Sequence, residues 1–218
     1  MESGLGFITQ RLIELRPYAF HTSGQANFSA IRRHGELRSA RSILEGTAHE
    51  YLLVERRKSS VAVKVNGEEV VIRDNRPLRP GSIDLLGGWL LSDWLGELNS
   101  RVFLWPGKED GPIQRGRAHF DRYASEGLVF VLRMPTHSLI TANPDRELWV
   151  TRCNSGSARH IGGKPVPRGP ATFQLPVSAP FPPSEVIELS YRGAAKLPSD
   201  AQWSTSLSGP WKALRDAG

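Results

Sequence analysis

Cysteine is nearly absent from this sequence, which contains a single Cys among its 218 residues. One cysteine excludes a disulfide framework and any zinc site built from several cysteines. Long apolar runs are also lacking, since no stretch approaches the roughly 18 residues that a membrane-spanning helix needs. The first six residues show neither the charged region nor the apolar region of a signal peptide. The sequence therefore predicts a cytoplasmic protein that does not enter a membrane.

Motifs for metal, phosphate and nucleophilic chemistry are missing as well. No two of the six histidines stand four residues apart, and none lies at a ligand spacing from Cys153, so we expect no metal site. The chain has no Gly-x4-Gly-Lys-Ser/Thr loop and no Gly-x-Gly-x-x-Gly after a strand. It also lacks the Gly-x-Ser-x-Gly turn of serine hydrolases. Function must therefore be sought in a constellation dispersed along the chain.

Acidic residues are absent from residues 148–184, in a chain whose formal net charge is +6. The basic side chains of this segment are Arg152, Arg159, Lys164 and Arg168. A field of one sign suits an anionic partner, and arginine binds phosphate in a bidentate fashion. The segment therefore predicts a nucleic-acid contact, to which Asn154 adds neutral hydrogen bonds. A solvated loop and a codon bias toward arginine are the alternatives.

Short strands and short helices alternate irregularly, without repeated βαβ units, which predicts an α+β fold with mixed sheets in one domain, residues 1–218. The clearest local signal lies in residues 61–72, where two β-branched runs flank Asn66-Gly67, the preferred type I′ hairpin turn. A strand over residues 101–105, ended by Pro106, and a late strand over residues 185–191 are also predicted.

One group of residues near the N-terminus combines a histidine, hydroxyl groups and an amide. His21, Thr22 and Ser23 stand at the end of a predicted strand. Asn27 follows on a predicted helix over residues 24–34, which closes at a glycine. Taken singly, His21 fits a half-buried core histidine, Ser23 fits a helix cap, and Asn27 fits a solvated helix residue.

Two later blocks complete a pattern that resembles the ADP-ribosyltransferase superfamily. The central strand carries Phe103 and Trp105, and the helix after it carries Tyr123. The late strand begins with Glu185 and Glu188, which lie three residues apart and therefore on opposite faces. The order of histidine strand, aromatic strand with helix, and glutamate strand is most similar to the DarT-type DNA ADP-ribosyltransferases and the RNA 2′-phosphotransferases.

The resemblance, which covers about residues 18–192, implies a fold of two small packed sheets around an NAD cleft. It implies NAD-dependent transfer of ADP-ribose to a nucleic acid, DNA or RNA. Enzymes of this kind act as toxins or in defence against phage, so an antitoxin protein is a further partner to consider. The hairpin of residues 61–72 has no counterpart in the resemblance.

The resemblance also implies roles for individual residues. Cleavage of the nicotinamide glycosidic bond develops positive charge on the ribose, which a carboxylate stabilises. We expect Glu185 to be that carboxylate, because a strand entry is open to a cleft, and we keep Glu188 as the alternative with an expected solvent-facing position. The residues expected to bind NAD are His21, Thr22, Ser23, Asn27, Phe103, Trp105 and Tyr123.

Two other functions stay open at this stage. An RNA 2′-phosphotransferase-like enzyme would use the same fold and NAD, but the strand beginning Arg101-Val-Phe-Leu lacks the histidines of that family. A nucleic-acid-binding module on the same fold would bind without turnover. Release of nicotinamide from NAD separates the enzymes from the module.

Overall fold

The computed structural model of the chain describes residues 6–158, 160–161 and 164–215. Short helices and short strands are mixed along it, which confirms the predicted α+β class. Hydrogen bonding within these residues joins the strands into one eight-stranded sheet and four two-stranded sheets. None of the helices described here has the length and apolar character needed to cross a membrane.

The elements are numbered in chain order. The α-helices are α1 (Phe7–Leu15), α2 (Phe28–His34), α3 (Ala40–Leu44), α4 (Leu91–Asn99), α5 (Gln114–Glu126) and α6 (Thr136–Thr141). The strands of the large sheet are β1 (Tyr18–Gly24), β6 (Arg101–Lys108), β7 (Gly111–Pro112), β8 (Val129–Pro135), β9 (Trp149–Thr151), β13 (Glu188–Arg192), β15 (Gln202–Ser204) and β16 (Lys212–Ala213). The two-stranded sheets are formed by β2 (Glu36–Arg38) with β14 (Ala194–Lys196), β3 (Val61–Val65) with β4 (Glu68–Ile72), β5 (Asp84–Leu85) with β12 (Pro167–Arg168), and β10 (His160–Ile161) with β11 (Lys164–Pro165).

The large sheet has the order β16-β15-β8-β1-β6-β13-β9, with β7 paired to β6. Its central strands are covered on both faces, as their continuous apolar runs suggest. Along β8, Val131 packs in one apolar cluster with Phe20 and Trp105, while its neighbour Leu132 packs in another with Leu104. The alternation of a strand therefore places two apolar cores on opposite sides of this sheet.

Strands β1 and β6 separate part-way along their length. Residues 18–20 of β1 pair with residues 105–107 of β6, and residues 101–104 of β6 pair with β13 on the other edge. Beyond Phe20, β1 continues its pairing with β8, and the His21 ring reaches across to the backbone of β6. The divergence opens a fork in the sheet, and the functional candidates of β1 lie within it.

The hairpin of residues 61–72 is confirmed. Asn66 and Gly67 have φ angles of 52° and 84°, the two positive values that a type I′ turn requires. Its apolar face, with Val63, Val70 and Ile72, packs against the helical segments that contain Leu44 and Leu52. The hairpin is therefore packed into the fold, and it lies beside the fork in the large sheet.

Several boundaries differ from the predicted ones. Hydrogen bonding does not divide the large sheet into two small sheets, because β6 pairs with β1 and β13 on its two edges. Pro106 does not end β6, since the proline carbonyl accepts a hydrogen bond from the backbone N–H of Ile113 at 3.0 Å. The late strand begins at Glu188, because Pro183–Glu185 forms a 3₁₀ turn.

Candidate functional site

A cavity of about 740 Å³ occupies the fork between β1 and β6. Its walls come from β1, α2, β4 with residues 73–75, β6, α5 and the loop of residues 154–158. All seven residues expected to bind NAD line it: His21, Thr22, Ser23, Asn27, Phe103, Trp105 and Tyr123. Glu188 and Asn154 line it as well. The three blocks of the sequence pattern, which are far apart in the chain, therefore meet at one cavity.

His21 is held as a neutral imidazole in a defined tautomer. Its Nδ1 lies 2.8 Å from the carbonyl oxygen of Phe103. Because a carbonyl can only accept, Nδ1 carries the proton and donates, which leaves Nε2 as an acceptor. Desolvation by burial lowers the pKa of His21, and the positive charge of Arg73 lowers it further against this hydrogen bond. His21 thus offers the cavity a hydrogen-bond acceptor without a positive charge.

Glu188 is a buried carboxylate that lines the cavity. Its side chain is 3 % exposed, and Oε2 accepts a hydrogen bond from the backbone N–H of Ser155 at 3.1 Å. Desolvation by burial raises the pKa of Glu188 to about 7, against the hydrogen bonding of Ser155 and the charge of Arg168. A carboxyl group that changes ionisation near neutral pH, inside a cavity, has the properties of a catalytic acid or base.

The expected positions of the two glutamates are wrong. Glu188 does not face solvent, because β13 is an inner strand between β6 and β9 whose first four residues are buried on both faces. Glu185 does not face the cleft. It lies in the 3₁₀ turn that precedes β13, its side chain is 49 % exposed, and it stands 3.6 Å from the guanidinium of Arg152. Of the two candidates, Glu188 is the one that reaches the cavity.

The basic segment does not form the expected row of phosphate contacts. Arg168 is 1 % exposed, and its guanidinium donates hydrogen bonds to the carbonyl oxygens of Val166, Pro167 and Asn154. It therefore holds the loop whose next residue binds Glu188, and an external phosphate does not reach it. Arg152 is exposed beside Glu185. The predicted contacts of Arg159 and of the Lys164 side chain lie outside the described residues.

Asn27 lines the cavity, but its amide group is engaged in the protein. Its Nδ2 donates to the carbonyl oxygen of Val71 at 3.0 Å, and its Oδ1 accepts from the N–H of Val71 at 2.9 Å. The side chain thus pairs with strand β4 as a neighbouring strand would, which ties the hairpin to β1 and α2. Asn27 shapes a wall of the cavity and is not the solvated helix residue of the alternative interpretation.

Sequence reasoning missed a cluster of basic side chains in the cavity. The guanidinium carbon of Arg73 lies 3.1 Å from the centre of the Tyr123 ring. Arg73 Nη2 and Arg115 Nη1 are buried, and within the described part of the chain they have no hydrogen-bond partner. Since such donors lower stability when left unpaired, both are suited to an anionic ligand.

Helix α5 supplies Arg115 and two further residues of this cluster. Arg115, His119 and Arg122 are spaced four and three residues apart, so they share one helix face, and all three line the cavity. Desolvation by burial, with Arg73 nearby, lowers the pKa of His119 to about 3, so its ring is neutral. It lies between the rings of Trp105 and Tyr123, at 5.3 Å and 4.5 Å. The spacing of Arg115, His119 and Arg122 along the helix is the sequence signal that could have identified this face.

Comparison with known proteins adds one finding. The model of DUF7002, a family of unknown function, matches residues 17–186. The chain belongs to this family. The DUF7002 match begins one residue before β1 and takes in the hairpin, β6 and α5, and it ends two residues before Glu188. No curated protein and no solved structure matches the chain.

Proposed function

We propose that the cavity binds NAD and that the protein transfers ADP-ribose from NAD to a nucleic acid. The observation that carries the proposal is the convergence of Glu188 and a neutral His21 on one cavity with an aromatic wall. Those are the residue types that the resemblance to ADP-ribosyltransferases implies, and they come from distant parts of the chain.

The size and charge of the cavity fit a dinucleotide. Its volume of about 740 Å³ lies within the range of roughly 300–1,000 Å³ that is typical of small-molecule sites. Six arginines line it against three carboxylates. Three of the six, Arg57, Arg101 and Arg122, are engaged with protein groups. Arg73 and Arg115 keep buried donors that suit the pyrophosphate, because arginine pairs with phosphate oxygens in a bidentate fashion.

The other lining groups suit the nicotinamide half of the ligand. His21 Nε2 is free to accept a hydrogen bond from a ribose hydroxyl, since Nδ1 donates to the carbonyl oxygen of Phe103. The hydroxyls of Thr22 and Ser23 suit the carboxamide, and the rings of Trp105 and Tyr123 offer flat surfaces to the pyridine. When bound, NAD supplies the ADP-ribosyl group. Positive charge develops on its ribose as the glycosidic bond to nicotinamide breaks.

Glu188 provides the negative charge that this reaction needs. In its ionised form the carboxylate stabilises the positive charge of the ribose, and it can take a proton from the acceptor. The Ser155 N–H holds Oε2 in place and so fixes the carboxylate at the cavity. Because the pKa of Glu188 is about 7, both ionisation states are available near neutral pH.

A nucleic acid is the acceptor that the charge of the chain favours. The formal net charge is +6, and arginine makes up 22 of the 28 basic residues. Positive charge of this kind attracts the phosphate backbone without sequence preference. With Arg168 buried, the acceptor is expected at the arginine-lined mouth of the cavity more than along residues 148–184.

A second candidate function is favoured by the arginine content of the cavity. RNA 2′-phosphotransferases use the same fold and NAD with additional arginines, and Arg73, Arg115 and Arg122 would supply them here. An RNA carrying an internal 2′-phosphate, incubated with NAD, would lose this phosphate if the second function holds.

Nicotinamide release from NAD in the presence of DNA or RNA tests the main proposal. We expect release together with a modified nucleic acid, and a decrease of at least ~100-fold in Glu188→Gln, the scale for loss of one preorganised electrostatic group. Glu185→Gln is the matched control, because its carboxylate is exposed outside the cavity, and it should keep the wild-type rate. NAD binding by calorimetry without any turnover would favour the binding module, and the absence of NAD binding would refute the proposal.

A further inference from the structure

A second cavity of about 350 Å³ adjoins the main one. Both cavities are lined by Arg73, Asp74 and Tyr123, so the Arg73–Tyr123 stack forms a wall between them. The other walls come from the segment before β3, with Lys58, and from the end of α5. Neither the resemblance nor the proposed function assigns a role to this cavity.

The second cavity has an excess of positive charge. Its two carboxylates are engaged, since Asp74 lies 3.3 Å from Arg122 and Glu126 lies 2.5 Å from Arg76. Lys58 has no carboxylate within ion-pair distance in the described part of the chain, and neither has Arg73. Lys58 is therefore left to bind a negatively charged group, and Arg73 adds positive charge from the shared wall.

Hydroxyl and apolar groups flank these two cations. Ser59 and Ser60 are exposed beside Lys58, and both line the cavity. Leu128, on the rim, is 84 % exposed. Positive charge and hydroxyl donors suit a phosphate, whereas an exposed leucine suits the flat face of a base or sugar. Together they describe a nucleotide better than a free inorganic anion.

We propose that this second cavity binds a backbone phosphate of the acceptor strand, so that a neighbouring nucleotide reaches the main cavity across the Arg73–Tyr123 wall. The proposal rests on the proposed function and adds the position of the acceptor. A single strand suits the position, because a base can enter a cavity only when it is out of the stack. Lys58 is the residue to mutate, because it is exposed and lines the second cavity but not the main one.

The experiment measures the binding of a labelled single-stranded oligonucleotide, as DNA and as RNA, over a range of salt concentrations. In Lys58→Glu we expect the magnitude of the negative slope of log affinity against log salt to decrease by about 0.7, the value per phosphate contact for single strands. This change in slope corresponds to about fivefold weaker binding near 0.1 M salt. Lys108→Glu is the matched control, since Lys108 is exposed and lines neither cavity. It makes the same change of charge and should leave the salt dependence steeper than Lys58→Glu does.

Two further arms separate the outcomes. Competition with inorganic phosphate distinguishes a strand from a free anion, because a site for the free anion would lose the oligonucleotide at low millimolar phosphate. NAD affinity, measured by calorimetry without nucleic acid, should be the same in wild type and Lys58→Glu. Equal slopes for both lysine variants would overturn the acceptor position while leaving the proposed function intact. Absence of NAD binding in wild type would refute the proposed function, and the slopes would still report on the second cavity.

Discussion

The ionisation of Glu188 predicts a stability difference that depends on pH and needs no knowledge of the substrate. In the folded protein its pKa is about 7, against an ordinary value of 4.5, chiefly because burial disfavours the charged form. This carboxyl group therefore binds more protons in the folded state than in the unfolded state between these two values. The contribution of Glu188 to the free energy of unfolding falls as pH rises through this window and levels off above it.

The size of the effect follows from the shift. Each pKa unit corresponds to about 1.4 kcal/mol, so a shift from 4.5 to about 7 corresponds to about 3 kcal/mol. Glu188→Gln has the same shape and no charge, and its amide oxygen can still accept from the Ser155 N–H. We expect the variant to match wild type below pH 4.5 and to be about 3 kcal/mol more stable above pH 7.

Urea unfolding at pH 5 and at pH 8 measures this difference. The matched control is Glu185→Gln, which removes a carboxylate that is half exposed and should change stability little at either pH. A constant difference between wild type and Glu188→Gln at both pH values would show that Glu188 does not titrate in this window. A wild type that gains stability relative to Glu188→Gln as pH rises would show that Ser155 and Arg168 outweigh desolvation, and the assignment of a raised pKa would be wrong.

Two further variants test the walls of the cavity. His21→Ala should weaken NAD binding by about 2- to 10-fold, the range for loss of one hydrogen bond, and should also lower the melting temperature because the Phe103 carbonyl loses its partner; a lower melting temperature with unchanged affinity would support the core-histidine interpretation. Asn27→Ala leaves the backbone of Val71 unpaired and should lower the free energy of unfolding by about 1–3 kcal/mol in urea titrations. Gln25→Ala, an exposed neighbour in the same 3₁₀ turn, is its control and should stay close to wild type.

The parts of the fold that sequence predicts well are those fixed by local chemistry. Asn66-Gly67 specifies the hairpin because both residues tolerate positive φ, and the glycine at position 35 ends α2 with a φ of 66° for the same reason. The order of the large sheet is a different matter. That order depends on β1 and β13 pairing with opposite edges of β6. The local sequence of a strand does not specify which strand pairs with each of its edges.

The same distinction explains the error over the two glutamates. The alternation of Glu188 with Ile187 and Leu189 would face solvent in a sheet with one open side. β13 is instead an inner strand with both faces covered, and Glu188, Ser190 and Leu189 are all buried. A charged residue at such a position has a large desolvation penalty, so it requires a partner such as the Ser155 N–H.

Arginine at this site shows why composition alone misleads about binding surfaces. The segment without acidic residues was the stronger charge signal, yet Arg168 serves there as a buried support for the loop. The cations that face the cavity come instead from two elements whose local charge is mixed, with Asp74 next to Arg73 and Glu126 near Arg122. What brings Arg73 to Tyr123 is the hairpin, which Asn27 anchors to the wall through Val71. The element without a counterpart in the resemblance therefore positions Arg73, which follows it directly and forms one side of the wall between the two cavities.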